Sequence, residues 1–116
     1  SRLRKGSGGA KIFRYGGEEF TAIFAGKTVE DAVSHIEDFR EAVGSTPFII
    51  REWKRCNKKK NDRRRKNSSN RKQVKVTVSI GLASPSGGKT DPEKVIKAAD
   101  KKLYTAKKRG RNRSVY

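Results

Sequence analysis

Cysteine, histidine and long apolar runs are nearly absent from this sequence of 116 residues. The only cysteine is Cys56 and the only histidine is His35. A lone cysteine excludes an internal disulfide and indicates a reducing compartment, while a single histidine excludes sites that need two imidazoles. No segment approaches the ~18 consecutive apolar residues that a membrane-spanning helix requires. The composition therefore predicts one small soluble domain with a single core.

Acidic side chains are also scarce. The chain has 30 Lys and Arg against 12 Asp and Glu, a formal net charge of +18. Residues 51–72 contain 12 of the basic residues, two acidic ones and no Leu, Ile, Val or Phe. A solvated loop is predicted there, whose charge would attract polyanions such as an anionic membrane surface. Trp53 is the only aromatic residue in that segment, so specific nucleic acid binding is not expected.

Hydrophobic periodicity in the rest of the chain predicts strands and helices. Apolar residues recur with period two in one segment and at helical spacing in two others. Thr28 and Asp91 stand where helix N-caps are expected, and Gly44 and Gly110 stand where the helices end. The predicted elements are a hairpin over 11–24, a helix over 28–44, a short strand over 47–50, a strand over 74–83 and a helix over 91–109. Their order, β-β-α-β-β-α, predicts an α/β (α+β) fold with helices flanking a mixed sheet.

The turn of the predicted hairpin carries two glycines followed by two glutamates. Gly16 and Gly17 allow the positive φ that a tight hairpin turn demands, and they keep side-chain bulk away from the bend. Glu18 and Glu19 supply hard carboxylate oxygens, which suit Mg²⁺ while a polyphosphate approaches the backbone. An exposed turn without a function is the alternative, and the hairpin alone does not decide between the two.

Two basic residues, Lys107 and Arg111, stand four positions apart at the end of the last predicted helix. Cations at this spacing, on one helical face or at the helix end, can converge on one triphosphate. Cations also stabilise a helix C-terminus, so capping is the alternative interpretation.

Three other candidate motifs are expected to have no catalytic or ligand-binding role. Gly87–Thr90 has the ending of a phosphate-binding loop, but such a loop needs a glycine where Ala83 stands, so a polar turn is predicted. His35 lies between apolar positions of a predicted helix and is expected at its surface or boundary. Cys56 has no identified acid or histidine partner, so a catalytic thiol is not expected.

Three segments, in this order along the chain, resemble the GGDEF family of bacterial diguanylate cyclases. They are Arg14–Phe20 for the signature hairpin, Val76–Gly81 for a following strand, and Ala98–Asn112 for the closing helix. The resemblance implies a nucleotidyl-cyclase-like fold. It also implies a transferase of the bacterial cytoplasm that joins two GTP molecules into cyclic di-GMP and releases pyrophosphate. Two such domains, as a homodimer, would each present one nucleotide to the other.

The resemblance also assigns roles to individual residues. Glu18 matches the acid that binds Mg²⁺ (or Mn²⁺) and helps to deprotonate the attacking 3′-hydroxyl, and Glu19 matches its neighbour in the metal site. Gly16 and Gly17 match the turn beside which the nucleotide lies. Lys107 and Arg111 match the pair that grips the terminal phosphates.

The chain departs from the family pattern in two ways. The family's first strand, with a metal-binding Asp, and its helices, with a phosphate-binding Lys and a guanine-reading Asn and Asp, have no match here. Residues 1–116 are therefore expected to be a partial, N-terminally truncated domain, inactive alone but active in a parent whose membrane anchor would lie elsewhere. An Arg-x-x-Asp site for inhibitory product is also missing, because Ser7 and Ala10 occupy its positions.

Two other functions remain open at this point. One is a catalytically inactive GGDEF relative that binds nucleotide as a regulatory module. The other is a basic nucleic-acid-binding domain, which is supported by charge alone. The intact glutamates and the Lys107 and Arg111 pair favour the cyclase.

Overall fold

The computed structural model describes residues 9–50, 72–86 and 91–116. Its elements are β1 (Lys11–Arg14), β2 (Phe20–Ile23), α1 (Val29–Ser45), β3 (Phe48–Ile50), β4 (Lys72–Val74), β5 (Ile80–Gly81), α2 (Pro92–Lys108) and β6 (Ser114–Val115). The described chain is thus a small α+β structure with two helices and short sheets. Ser7, Cys56, the Gly87–Thr90 turn and the basic loop up to residue 71 lie outside the described residues.

Both helices begin at the caps that the sequence indicated. The Thr28 hydroxyl accepts a hydrogen bond from the Asp31 N–H at 3.2 Å, which satisfies one free donor of the first turn of α1. The Asp91 carboxylate accepts from the Glu93 N–H at 3.1 Å, and Pro92 opens α2 with its φ already suited to a helix. The predicted helices over 28–44 and 91–109 are confirmed to within about one residue at each end.

Gly110 ends α2 in a Schellman motif. It has a φ of +108°, and its N–H donates to the Lys107 carbonyl at 3.4 Å. The following N–H, of Arg111, donates to the Ala106 carbonyl at 3.0 Å. These bonds satisfy carbonyls that the helix end would otherwise leave without partners, and they fix the direction in which the chain leaves α2.

The strands form three separate pairs, so the prediction of one mixed sheet is wrong for the described part of the chain. β1 pairs antiparallel with β2, and β3 pairs antiparallel with β4. β5 pairs in parallel with β6. Both orientations are present, but no hydrogen-bonded ladder joins one pair to another within these residues.

The predicted continuous strand over 74–83 is also wrong. Pairing is confined to β4 and β5, and residues 75–79 between them belong to no strand. Extending the β3–β4 register would require Pro47 and then Thr46 as partners. Pro47 has no N–H to donate, and Thr46 is the C-cap residue of α1, so the ladder stops at β3.

The sequence pattern did not predict β6. The Ile80 N–H donates to the Arg113 carbonyl at 3.0 Å, and the Leu82 N–H donates to the Val115 carbonyl at 2.9 Å. A strand of two residues has no measurable periodicity, so only its distant partner reveals it. This pairing brings the segment after α2 back beside β5.

The buried core is small. Ala32 and Ile36 of α1 and Ala106 of α2 are the buried apolar residues of the described chain. His35 is half-buried beside them and stacks on Phe24, with ring centroids 6.5 Å apart, in agreement with the predicted boundary position. Neither α1 nor α2 combines the length and apolar character that a bilayer crossing requires.

Gly81 is the point where β5 lies directly against α2. A Cβ built on Gly81 would fall onto the main-chain carbonyl oxygen of Ala99 and the main-chain nitrogen of Leu103. Because backbone atoms cannot move aside as the end of a side chain can, this contact has room for glycine alone.

Replacement of Gly81 with alanine is therefore expected to destabilise the fold by about 3 kcal/mol, the upper range for overpacking a core. Urea denaturation followed by circular dichroism measures the change. Gly44→Ala is the matched control, since its Cβ would meet only Asn112 Oδ1 at 3.9 Å. In α1 that control should gain about 0.5–1 kcal/mol. Equal stability of the two variants would contradict the close packing of β5 on α2.

Candidate functional site

The loop between β1 and β2 is closed by its own backbone. The N–H groups of Tyr15 and Gly16 both donate to the Glu19 carbonyl, at 2.9 and 3.2 Å. The Arg14 guanidinium folds over the same loop and donates to the carbonyls of Gly16 and Gly17, at 3.2 and 3.1 Å. Arg14 thus organises the loop, a role that the sequence did not reveal because it depends on the folded path of the turn.

The two glycines of this loop do not adopt the predicted conformation. Neither Gly16 nor Gly17 has a positive φ. Positive φ is a demand of two-residue turns, at both central residues in type I′ and at the first in type II′, whereas this longer loop closes on the Glu19 carbonyl. A Cβ added to either glycine would meet no atom within 4 Å. Neither backbone conformation nor packing within the described chain requires glycine here, and the two residues leave space without side-chain bulk on the side of the loop where a Cβ would point.

The end of α2 reaches the hairpin through one ion pair. Lys107 Nζ lies 3.3 Å from Glu19 Oε1, joining residues 88 positions apart. The two side chains are 44% and 49% exposed. An exposed pair contributes about 0–1 kcal/mol to stability, so the contact does little to hold the fold together. Both groups are therefore free to exchange this partner for a ligand at little cost.

The neighbouring lysine faces elsewhere. Lys108 Nζ lies 4.8 Å from the centre of the Tyr104 ring, a cation–π contact on the surface of α2. Two adjacent lysines of equal charge thus differ in position, and only Lys107 contacts the hairpin among the described contacts.

Arg111 lies beyond the helix rather than on its face. α2 ends at Lys108, and Arg111 follows the Schellman turn with a φ of +60°. Asn112 continues the left-handed backbone with a φ of +46°. The structure therefore places Lys107 at the hairpin and Arg111 at the end of the same helix, in the turn that leads to β6. No described contact joins Arg111 to the hairpin.

Residues 50–113, just over half of the chain, match the family described as "Diguanylate cyclase, GGDEF domain". The chain belongs to the GGDEF domain family. The matched range includes α2 and the turn after it, whereas the hairpin and α1 lie outside that range.

Individual relatives of this GGDEF domain match a longer stretch. The response regulator PleD of Caulobacter vibrioides is 33% identical over 99 residues, which cover 85% of this chain and 18% of PleD. The diguanylate cyclase DosC of Escherichia coli is 30% identical over 102 residues, covering 88% of this chain and 18% of DosC. An uncharacterised membrane protein of Staphylococcus epidermidis is 29% identical over 107 residues, covering 91% of this chain and 25% of that protein. The chain thus spans about a fifth of the length of these curated relatives.

Glu18 and Glu19, the acidic pair of the GGDEF domain, suit a cation whose other ligands come from substrate and water better than a cation enclosed by protein ligands. Glu18 and Glu19 are both exposed at the hairpin loop. Among the described residues, no group of three or more His, Cys, Asp or Glu side chains is placed to enclose a metal. Mg²⁺ is commonly held by one or two carboxylates together with substrate phosphates and water. The two glutamates therefore suit a divalent ion that arrives with a polyphosphate.

The segment that reaches this acidic pair through Lys107 is strongly basic. Residues 91–116 contain nine Lys and Arg against three Asp and Glu. A basic helix end beside two carboxylates attracts a polyanion and still offers oxygen ligands to its counter-ion.

A second contact ties α1 to the turn after α2. Arg40 Nη1 donates to the carbonyl oxygen and to the side-chain Oδ1 of Asn112, at 3.3 and 3.2 Å. An open depression of about 430 Å³ lies there, lined by Arg40, Glu41, Gly44, Ser45 and Asn112. The sequence did not identify Arg40, whose only local signal is a glutamate three positions earlier on the same helix.

Proposed function

We propose that this GGDEF domain binds magnesium GTP between the β1–β2 loop and the end of α2. We further propose that the native protein containing it condenses two GTP molecules into cyclic di-GMP. The observation that carries the proposal is the contact between Lys107 and Glu19, which sets a phosphate-seeking cation beside an acidic loop with a bare backbone. The family membership and the diguanylate cyclase among the relatives support the choice of reaction.

In the proposed reaction, the 3′-hydroxyl oxygen of one GTP attacks the α-phosphorus of the other. The bond between that phosphorus and the bridging oxygen breaks, and pyrophosphate leaves. A second, reciprocal attack closes the ring. Each of two domains in a homodimer presents one nucleotide to its counterpart. A divalent ion, when bound, offsets negative charge that accumulates on the phosphates.

The residues of the loop have distinct parts in this scheme. Glu18 would hold the cation and accept the proton that the 3′-hydroxyl loses, because its exposed carboxylate is free of the Lys107 contact. Glu19 would move from Lys107 to the cation. Gly16 and Gly17 would let the triphosphate approach the side of the loop that carries no side chain, where a Cβ on either residue would meet no atom within 4 Å.

The basic residues would bind the leaving group. Lys107, released from Glu19, would donate to the terminal phosphates, and Arg111 would present a planar guanidinium to them from the turn after α2. Charge-assisted bonds of this kind stabilise developing charge on the departing pyrophosphate. Their position at a helix C-terminus is also electrostatically favourable for the helix, so the site costs the fold little.

Product formation tests the proposal directly. With GTP and Mg²⁺, the native protein is expected to yield one cyclic di-GMP and two pyrophosphates for every two GTP consumed. Its specific activity should rise with protein concentration, because two domains must meet. Nucleotide binding without product would favour a regulatory module instead, and an absence of GTP binding would contradict both.

The 116-residue chain alone is expected to form no cyclic di-GMP. Only two acidic residues, Glu18 and Glu19, are proposed to hold the cation, and the described residues include no third one beside them. In addition, we propose no guanine-binding residue among the described residues. High-performance liquid chromatography after incubation with magnesium GTP checks this. Turnover comparable to that of the native protein would show that the hairpin and α2 suffice.

Two further parts of the proposal concern regulation and location. Because Ala10 and Ser7 replace the carboxylate and guanidinium of the inhibitory site, product is not expected to inhibit through it, although Ser7 lies outside the described residues. We place the reaction in the bacterial cytoplasm, where GTP is available. Docking of the basic residues 51–72 on anionic membrane lipid stays a prediction, and almost all of that segment lies outside the described residues.

A further inference from the structure

Arg40 connects two parts of the chain that are 72 residues apart. Its Nη1 donates to both oxygens of Asn112, the main-chain carbonyl at 3.3 Å and the side-chain Oδ1 at 3.2 Å. The side chain of Arg40 is only 19% exposed, whereas Asn112 lies at the surface, so both bonds are within reach of water. Both bonds come from one nitrogen, which leaves Nε and Nη2 of the same guanidinium for other partners, whereas an ammonium has a single nitrogen.

Glu37 fixes the orientation of this guanidinium. Its Oε2 accepts from Arg40 Nε at 2.8 Å and lies 2.8 Å from Arg40 Nη2. Glu41 Oε1 is more distant, at 3.7 Å from Nη2. All three nitrogens of Arg40 therefore have partners within the protein, and the group is directed at Asn112 before any ligand arrives.

The turn that Arg40 holds has an unfavourable backbone. Gly110, Arg111 and Asn112 have successive φ values of +108°, +60° and +46°. Left-handed backbone is easy for glycine and tolerable for asparagine, but it is costly for arginine because Cβ approaches the following carbonyl. Such a conformation persists when neighbouring contacts determine it. Here the Arg111 N–H donates to Ala106 before the turn, Arg113 Nε donates to the Arg111 carbonyl at 3.1 Å, and Arg40 is the contact that reaches the turn from another helix.

We propose that Arg40 is a positioning residue for the phosphate-binding end of α2, acting through Asn112 on the backbone of Arg111. This inference rests on the proposed function, in which Arg111 binds the terminal phosphates of GTP. Arg40 does not touch the nucleotide. It keeps the turn left-handed, so that the Arg111 guanidinium is presented from the end of α2 in one direction rather than many.

A direct phosphate contact by Arg40 is the competing explanation, and the geometry opposes it. The Arg40 nitrogens are already directed at Glu37 and Asn112, and binding a phosphate would require breaking bonds of 2.8–3.3 Å. The described contact between α2 and the hairpin is made by Lys107, which precedes the end of the helix. Arg40 instead contacts Asn112, which follows the end of the helix.

A double-mutant cycle in the native protein distinguishes the two explanations. Magnesium GTP affinity is measured for the wild type, Arg40→Gln, Arg111→Ala and the double variant. Arg40→Gln is expected to weaken binding about tenfold, because Arg111 is then no longer held in place and loses roughly one charge-assisted hydrogen bond to phosphate. The double variant should match Arg111→Ala within about twofold, because Arg40 has nothing left to position. If the double variant loses affinity by the product of the two single-variant factors, the proposal is overturned in favour of a direct contact between Arg40 and phosphate.

Two milder variants keep the test decisive if Arg40→Gln folds poorly. Arg40→Lys retains the charge but has one nitrogen in place of the three that face Glu37 and Asn112, and it is expected to recover no more than about twofold of the lost affinity. Glu37→Gln should weaken binding in the same direction but less, and Arg111→Ala should again remove that effect. Full recovery by Arg40→Lys would overturn the proposal, since charge alone would then suffice.

A measurement without nucleotide separates this inference from the proposed function. In protein labelled at arginine and asparagine, three-bond HN–Hα couplings and sequential nuclear Overhauser effects report φ at Arg111 and Asn112. Left-handed values in the wild type should shift toward extended values in Arg40→Gln. Unchanged values would overturn the inference whatever the affinities show. If the wild type binds no GTP but φ still shifts in Arg40→Gln, the proposed function is contradicted, while the support of the turn by Arg40 stands.

Discussion

Replacing Glu18 with glutamine should lower the rate of cyclic di-GMP formation by the native protein about 10³-fold, while its fold remains intact. Glutamine has nearly the shape of glutamate but carries no charge, so it neither accepts the proton of the 3′-hydroxyl nor holds Mg²⁺ firmly. The fold should tolerate the change because Glu18 is exposed and the loop is closed by backbone groups of Tyr15, Gly16 and Glu19.

The measurement is a steady-state rate of pyrophosphate release over a range of Mg²⁺ concentrations, paired with nucleotide binding in the presence of a chelator. Without divalent ions, wild type and Glu18→Gln should bind GTP about equally, since the phosphate-binding residues are unchanged. Asp38→Asn is the matched control, because it removes one exposed carboxylate from α1. A Glu18→Gln variant that kept more than a tenth of the wild-type rate would exclude Glu18 from the chemistry.

The helices could be predicted from the sequence because their determinants are local. Caps, first-turn proline and terminal glycine act within a few residues, and Thr28, Asp91 and Gly110 have the roles in the structure that their types indicate. The position of Lys107 in the last turn of α2 follows from the same local pattern.

The strand pairing could not be predicted in this way because it depends on distant partners. Alternating apolar residues indicated a strand over 74–83, yet Pro47 and the end of α1 remove the partners that its middle would need. β6 has too few residues to show a pattern, and it exists because β5 lies beside it. Periodicity reports which face of a segment is apolar, but not which neighbour supplies its hydrogen bonds.

The sequence named the candidate residues but not the contacts among them. The glutamates, glycines and basic pair were identified from residue type and spacing, and the structure places Glu19 beside Lys107. The hydrogen bonds of Arg14 to the loop and of Arg40 to Asn112 had no sequence signal, because each depends on the path of the folded backbone. The glycines illustrate a further limit. Their residue type suggested a positive φ, whereas neither glycine has one. What distinguishes them in the structure is the open space where a Cβ would lie.

Replacing Lys107 with alanine should weaken magnesium GTP binding by the native protein about 10–100-fold, the loss of a charge-assisted contact with phosphate. Lys108→Ala provides a strict comparison, since the two residues are adjacent, equally charged and both exposed. Lys108 lies over Tyr104 rather than at the hairpin, so its loss should change affinity less than about twofold. A difference between these variants cannot come from net charge or from long-range attraction, which both removals reduce alike.

Salt and nucleotide length sharpen the same comparison. A direct phosphate contact adds to the salt dependence of binding, so Lys107→Ala should bind GTP with a shallower dependence on salt than Lys108→Ala. Binding of GMP, which lacks the terminal phosphates, should be nearly unaffected by either change.

Comparison of Arg111→Ala with Arg109→Ala extends the test to the turn after α2, and GTP affinity is expected to fall in Arg111→Ala only. Loss of the ion pair with Glu19 should itself cost less than about 1 kcal/mol of stability, because both partners are exposed. Equal losses of affinity in Lys107→Ala and Lys108→Ala would therefore show that the basic helix end attracts nucleotide only through its overall charge, and that the contact with the hairpin does not mark the phosphate site.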